Sequence, residues 1–117
     1  MERRQEIRFP VLLKINRKEN SQECREGTIK DFSRNGLRAI FDSFESKSSP
    51  NLEIQIQRPN ANVFTPANVE LIWKRPVKGK WEVGFRFKEF IPQMKAEILE
   101  YAYKNWLQNK TFALQDF

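Results

Sequence analysis

Two short motifs carry most of the chemistry this chain could perform. Arg4-Gln5-Glu6-Ile7-Arg8 reads RxxxR, and Asp31-Phe32-Ser33-Arg34-Asn35-Gly36 reads DxSxxG. The first supplies two guanidinium forks, which suit phosphate oxygens and the acceptor edge of guanine. The second supplies a carboxylate, a hydroxyl and a glycine on one turn. A carboxylate beside a hydroxyl suits the donor-rich edge of guanine. Together the two motifs suggest a site for a guanine nucleotide with more than one phosphate.

Such motifs need a scaffold that brings them together. Phe9, Val11, Leu13 and Ile15 alternate with mostly polar neighbours, the period of a half-buried strand. A polar stretch, Arg17 to Gln22, reads as a turn, and Cys24 to Phe32 as a second strand closed by the DxSxxG turn. Leu37, Ala39 and Phe41 alternate again; Asp42 to Asn51 reads as a loop; Leu52, Ile54 and Ile56 form another alternating set. Arg58 to Pro66 carries two prolines and reads as a loop. Val69, Leu71 and Trp73 then face Trp81, Val83, Phe85 and Phe87 across Lys78-Gly79-Lys80, a hairpin pattern. Six strands, each with one apolar face, predict an all-β dominated fold, a six-stranded antiparallel β-barrel over 9–88, because closure removes exposed edges. From Pro92 to Lys110 there is no internal Pro or Gly. Met94, Ile98, Ala102 and Trp106, extended by Leu99, Tyr103 and Leu107, form one stripe of a C-terminal helix over 92–110. The tail beyond it, with Phe112, Leu114 and Phe117, reads either as docked or as frayed. The apolar face of the hairpin strands reads Trp73, Trp81, Phe85 and Phe87 as core in preference to a stacking platform. Lys74, Arg75, Lys78 and Lys80 around the hairpin turn read as a solvated rim, with a weak phosphate or partner patch as the alternative.

Composition bounds the function classes. The chain has 117 residues, 39% hydrophobic and 31% charged, which suits one globular domain over 1–117. The net charge of +6 favours an anionic partner. It is spread evenly: 12 basic and 9 acidic residues in 1–58, 9 and 6 in 59–117, so each half carries +3. Cys24 is the single cysteine, so no intrachain disulfide forms, and a cytoplasmic location fits. No histidine is present, which removes the commonest general base and every His-dependent triad. With no metal-ligand constellation and no Gly-rich phosphate loop, the chain reads as a non-enzyme without cofactors. No run approaches the ~18 apolar residues of a membrane helix, and the charged N-terminus is unlike a signal peptide.

The order and spacing of these motifs resemble the PilZ domain. Arg4 and Arg8 stand just before the first strand, Asp31-x-Ser33-x-x-Gly36 stands between the second and third, and Trp81-Glu82-Val83-Gly84-Phe85-Arg86-Phe87 is similar to the family's last barrel strand, with a helix following. The resemblance covers the whole chain. It implies a receptor for the bacterial second messenger cyclic di-GMP, a ring of two guanines and two phosphates, bound by Arg4, Arg8, Asp31, Ser33 and Gly36. Arg3, Asn35 and Arg38 are candidate secondary contacts, and an arginine at position 3 is compatible with a stacked ligand pair. Gly36 is expected to serve a positive φ or a close approach of the ligand. The arm 1–8 is polar up to Ile7, so it is expected to order over the ligand and offer a new surface to a downstream protein partner, or to a second copy in a homodimer. Two other classes compete. Positive charge, aromatics and Gly84-Phe85-Arg86-Phe87 would suit a small barrel that binds single-stranded nucleic acid. A PilZ-like protein adaptor that has lost the ligand generally lacks both motifs, and both are intact here.

Overall fold

The computed structural model describes residues 7–18, 24–44 and 50–115. Arg3 and Arg4, and with them most of the arm, lie outside the described residues. Six strands form: β1 (Phe9–Lys18), β2 (Cys24–Phe32), β3 (Gly36–Phe41), β4 (Asn51–Gln57), β5 (Phe64–Val77) and β6 (Lys80–Phe90). They close into one antiparallel barrel in the order β1-β2-β3-β6-β5-β4. One helix, α1 (Pro92–Gln115), follows. The expected barrel and helix are both present. The β1–β4 closure is short, with only Ile15–Arg17 registered against Ile54–Ile56.

The alternating apolar residues are the reason the strands close. Ile15, Ile29, Phe32, Leu37, Ala39, Ile54, Ile56, Val69 and Val83 are fully buried. Each large one removed from water contributes roughly 1.5–3 kcal/mol, before the cost of ordering the chain. Phe32, Phe87 and Phe90 form an aromatic cluster with centroid separations of 5.0–6.4 Å.

Element limits differ from the sequence reading in four places. Arg17 belongs to β1 and is buried, with its guanidinium 4.1 Å from the Phe44 ring centroid. Pairing with β2 extends the strand past the last apolar alternation. Pro66 lies inside β5, opposite Gln55. It precedes Ala67, where β6 joins, so no ladder N–H is required on that side. The hairpin turn is the two-residue Lys78-Gly79, with φ of 53° and 78°, the left-handed pair that matches the twist of the strands. The helix runs on to Gln115, so the residues after Lys110 continue it.

Helix α1 begins at Pro92, which needs no N–H partner in a first turn, and the Ile91 carbonyl accepts from the Lys95 N–H at 3.0 Å. Ile98 and Ala102, four residues apart, are fully buried against the barrel. Tyr103 and Leu107, placed on the same stripe by sequence, are exposed, so the packed face is narrower than the stripe. Side-chain contacts also fasten the helix. Arg58, in the β4–β5 loop, donates from Nε and Nη2 to the Glu97 carboxylate at 3.1 and 2.9 Å. The Phe9 ring meets Tyr103 and Trp106 edge-on, at 5.7 and 5.9 Å between centroids.

Candidate functional site

A row of register partners crosses four strands on the outer face of the barrel. Asp31 on β2 pairs with Arg38 on β3, Arg38 with Gly84 on β6, and Gly84 with Trp73 on β5. The next row runs Gly36, Arg86, Glu70. Side chains in these rows point away from the core because strand neighbours alternate between faces. Two irregularities set the rows. A bulge between Ile29 and Asp31 re-aims Asp31. A second, between Leu71 and Trp73, advances β5 by two residues while β6 advances by one.

Asp31 joins the two motifs. Its side chain is only 13% exposed, and its Oδ1 accepts from Arg8 Nη1 at 2.7 Å. Its Oδ2 lies 2.8 Å from Arg38 Nε. That contact is an ion pair without hydrogen-bond alignment, so the buried Nε has no aligned acceptor. Arg38 Nη1 donates to Glu82 at 3.1 Å, and the other Glu82 oxygen accepts from Arg75 Nε at 2.7 Å. The ladder Arg8–Asp31–Arg38–Glu82–Arg75 thus links the root of the arm to the β5–β6 hairpin, with both carboxylates shared by two guanidiniums.

Ser33 and Gly36 build the turn. The Ser33 hydroxyl is fully buried. It donates to the Gly36 carbonyl at 3.0 Å and accepts from the Gly36 N–H at 3.2 Å. The Asn35 carbonyl accepts from the Phe87 N–H at 2.8 Å, tying the turn to β6. At Gly36 the φ is not positive. The requirement is closeness: a Cβ there would stand 2.1 Å from the Phe85 carbonyl oxygen. Ser33 and Gly36 therefore hold the loop shape, and Asn35 presents from it.

A cleft of about 310 Å³ opens beside the turn. It is lined by Arg8, Asn35 and Gly36, by Ile72 and Trp73 of β5, and by Gly84, Phe85 and Arg86 of β6. Trp73 rests where a side chain at 84 would be, since a Cβ on Gly84 would come within 2.4 Å of its Nε1. The Arg75 guanidinium stands 5.6 Å from the Trp73 ring centroid. Arg86 is paired with Glu70. A neighbouring hollow of about 360 Å³ is lined by Arg38, Trp73, Lys74 and Arg75. A larger depression, about 700 Å³, holds Glu53, Asn68, Lys88 and Glu89 among its lining. It contains no motif residue, and its two carboxylates against one ammonium do not suit an anion.

Of the expected site residues, the structure brings together Arg8, Asp31, Asn35, Gly36 and Arg38, with Ser33 beneath them. Arg3 and Arg4 lie outside the described residues. Trp73 and Arg86 are among the cleft residues that the sequence reading did not assign to this site, as are Ile72, Gly84 and Phe85. Trp73 follows Val69 and Leu71 in alternation, but the bulge after Leu71 reverses its face, and it is 39% exposed. The available signal was Gly84, since a glycine inside a strand marks a close approach. Trp81 and Phe87, by contrast, pack against the core as expected, and Phe85 is buried. Among the described residues no group of acidic, cysteine or histidine side chains could hold a metal ion, and no helix is long and apolar enough to cross a membrane.

A closed barrel of this order with a motif-bearing β2–β3 turn defines a domain class. The PilZ domain family matches residues 2–104, and the chain belongs to that family. Among solved structures it is similar to the Bacillus subtilis inhibitor of motility MotI/DgrA (TM-score 0.72, 18% identity, 92% of this chain and 53% of that one). It is also similar to the PilZ domain with c-di-GMP of YcgR from Escherichia coli (0.68, 15%, 98% of each chain). A third is YcgR in complex with c-di-GMP from Escherichia coli (0.70, 12%, 99% of this chain and 51% of that one). At these identities the likeness is one of fold. The chain spans about half the length of MotI/DgrA. No curated protein matches it.

Proposed function

We propose that this protein is a non-catalytic receptor for cyclic di-GMP. The observation that carries the reading is the 2.7 Å bond between Arg8 and Asp31, which joins the two motifs where Arg8 and Gly36 line one cleft. Membership of the PilZ family and the c-di-GMP named with two of its structural neighbours support it.

The chemistry follows from the groups present. Arg8, with Arg4 from the arm, grips phosphate and the O6/N7 edge of guanine. Asp31 is already shared by Arg8 and Arg38, so its first task is to aim those guanidiniums. When a phosphate draws Arg8 away, one Asp31 oxygen becomes available to the N1/N2 donors of guanine. Asn35 and the backbone of the Ser33-to-Gly36 turn offer further polar contacts. Trp73 gives a base a ring to lie against, and Arg86 adds positive charge at the cleft edge. Relay then proceeds through the arm. Residues 2–8 order around the two phosphates and present a new surface to a downstream protein.

Calorimetry with cyclic di-GMP, using GTP and cyclic GMP as controls, tests the reading. Heat and saturation are expected with the cyclic dinucleotide alone, and the titration also reports whether one ligand or a stacked pair binds. No heat with cyclic di-GMP would end the proposal. Hydrogen exchange of residues 2–8 tests the relay separately: protection that does not change with ligand would remove it.

A further inference from the structure

The β5–β6 hairpin runs on past the end of β4, and among the described residues no strand pairs with one of its edges. Pairing of β4 with β5 ends at Asn51 opposite Glu70. The Leu71 N–H still finds a partner, the Pro50 carbonyl at 2.8 Å. Past that point β5 pairs with β6 alone, and among the described residues no strand covers Ile72–Val77 on the side away from β6. The two-residue turn makes Val77 and Lys80 the closing pair. Alternation then points the backbone groups of Lys74 outward, together with the carbonyl of Pro76. Pro76, which has no N–H to leave unpaired, sits where an edge tolerates it.

The same stretch is strongly cationic. Trp73 to Trp81 contains Lys74, Arg75, Lys78 and Lys80 and no carboxylate. Ile72 is about half exposed and Trp73 more than a third, so apolar contact surface stands among the cations. Lys74 Nζ lies 5.2 Å from the Trp81 ring centroid. The nearest acids offset only part of this charge. Glu82 is buried and shared between Arg38 and Arg75, and the Lys80–Asp42 contact, 3.3 Å, joins two exposed side chains.

We infer that the open edge of β5 over Ile72–Val77 is a docking surface for an extended, acidic segment of a partner protein, which adds to the sheet as a further strand. The open backbone groups favour a polypeptide over nucleic acid or lipid, because only another strand satisfies them in register. The four cations favour an acidic sequence. The surface lies beside the cleft, since Trp73 lines both and Arg75 ends the ladder that begins at Arg8. The inference does not depend on which small molecule the cleft takes, and its test uses the protein alone.

The probe is a blocked nine-residue peptide of alternating glutamate and valine, titrated into isotopically labelled protein and followed by amide shifts. Shifts centred on Ile72–Val77 are expected. Methylating the peptide's alternate backbone nitrogens should weaken binding about tenfold or more. A lysine–valine peptide should not bind, and Lys74→Glu with Lys78→Glu should remove binding while the thermal midpoint stays within a few degrees. The inference is overturned if the acidic peptide gives no shifts on this stretch at millimolar concentration. It is also overturned if the methylated peptide binds as well as the parent, which would leave charge alone. Tighter binding of an oligothymidylate or of phosphatidylserine vesicles at the same residues would assign the surface to a different partner class and overturn it too.

Discussion

Gly84 and Trp73 are register partners, and the indole of one occupies the space a Cβ on the other would need. The cleft wall therefore depends on a missing methyl group. Gly84→Ala is expected to push Trp73 off the strand. Affinity for cyclic di-GMP should fall roughly tenfold, about 1.4 kcal/mol, by calorimetry. Tryptophan emission should shift in the free variant. Trp73→Phe should retain more binding than Trp73→Ala. Parental affinity in Gly84→Ala would remove Trp73 from the site.

Arg8 and Asp31 should behave as a pair. Arg8→Ala or Asp31→Ala is expected to leave the barrel folded by circular dichroism and to cost roughly 2–4 kcal/mol of binding. Because each holds the other, the double variant should lose less than the sum of the two single losses. Strict additivity in a double-mutant cycle would show that the 2.7 Å contact carries no coupling.

Gly36→Ala addresses the turn. A Cβ there meets the Phe85 carbonyl oxygen at 2.1 Å, and backbone cannot rotate away as a side chain can. The expected cost is about 2 kcal/mol or more of stability in urea unfolding. Ser33→Ala, which strips both hydrogen bonds of the buried hydroxyl, should cost about 1–2 kcal/mol. Unchanged unfolding midpoints in both variants would refute the structural role of the turn.

The Arg58–Glu97 pair gives a pH dependence with a defined sign. The hydrogen bonds from Arg58, assisted by its charge, hold the Glu97 carboxyl below its ordinary value of 4.5. The same bonds raise the guanidinium. A carboxyl lowered on folding stabilises the native state above its unfolded value, and that contribution is lost as pH falls through the lowered one. The melting-temperature gap between the parent and Glu97→Gln should thus be positive at pH 7 and close as the pH is taken below 4.5. The pair is exposed, so the gap is small. A gap that widens in acid would contradict the assignment.

Much of this molecule was legible in the order of its residues. Alternation at Phe9–Ile15, Leu37–Phe41 and Leu52–Ile56 marks strands because each buries one face, and Ile98 with Ala102 marks the packed side of the helix. Parity was not legible. Trp73 continues the run Val69, Leu71, yet one extra residue in the ladder carries it to the opposite face. No local pattern announces a bulge, because its cause is the register of the neighbouring strand. The role of Ser33 was hidden for a similar reason. Its hydroxyl reads as a ligand group, and in the structure it bonds the Gly36 backbone. Arg75 reads as a solvated rim charge, and only the lateral spacing of β3, β6 and β5 joins it, through Glu82, to Arg38.

The brief overlap of β1 with β4 has its own consequence. A ring opens at its weakest join, and here that join holds three residues a side, away from the β2-β3-β6-β5 wall that carries the cleft. Solvent exchange at the Asn16 and Gln55 amides is therefore expected to report the opening of this join before that of the longer ladders.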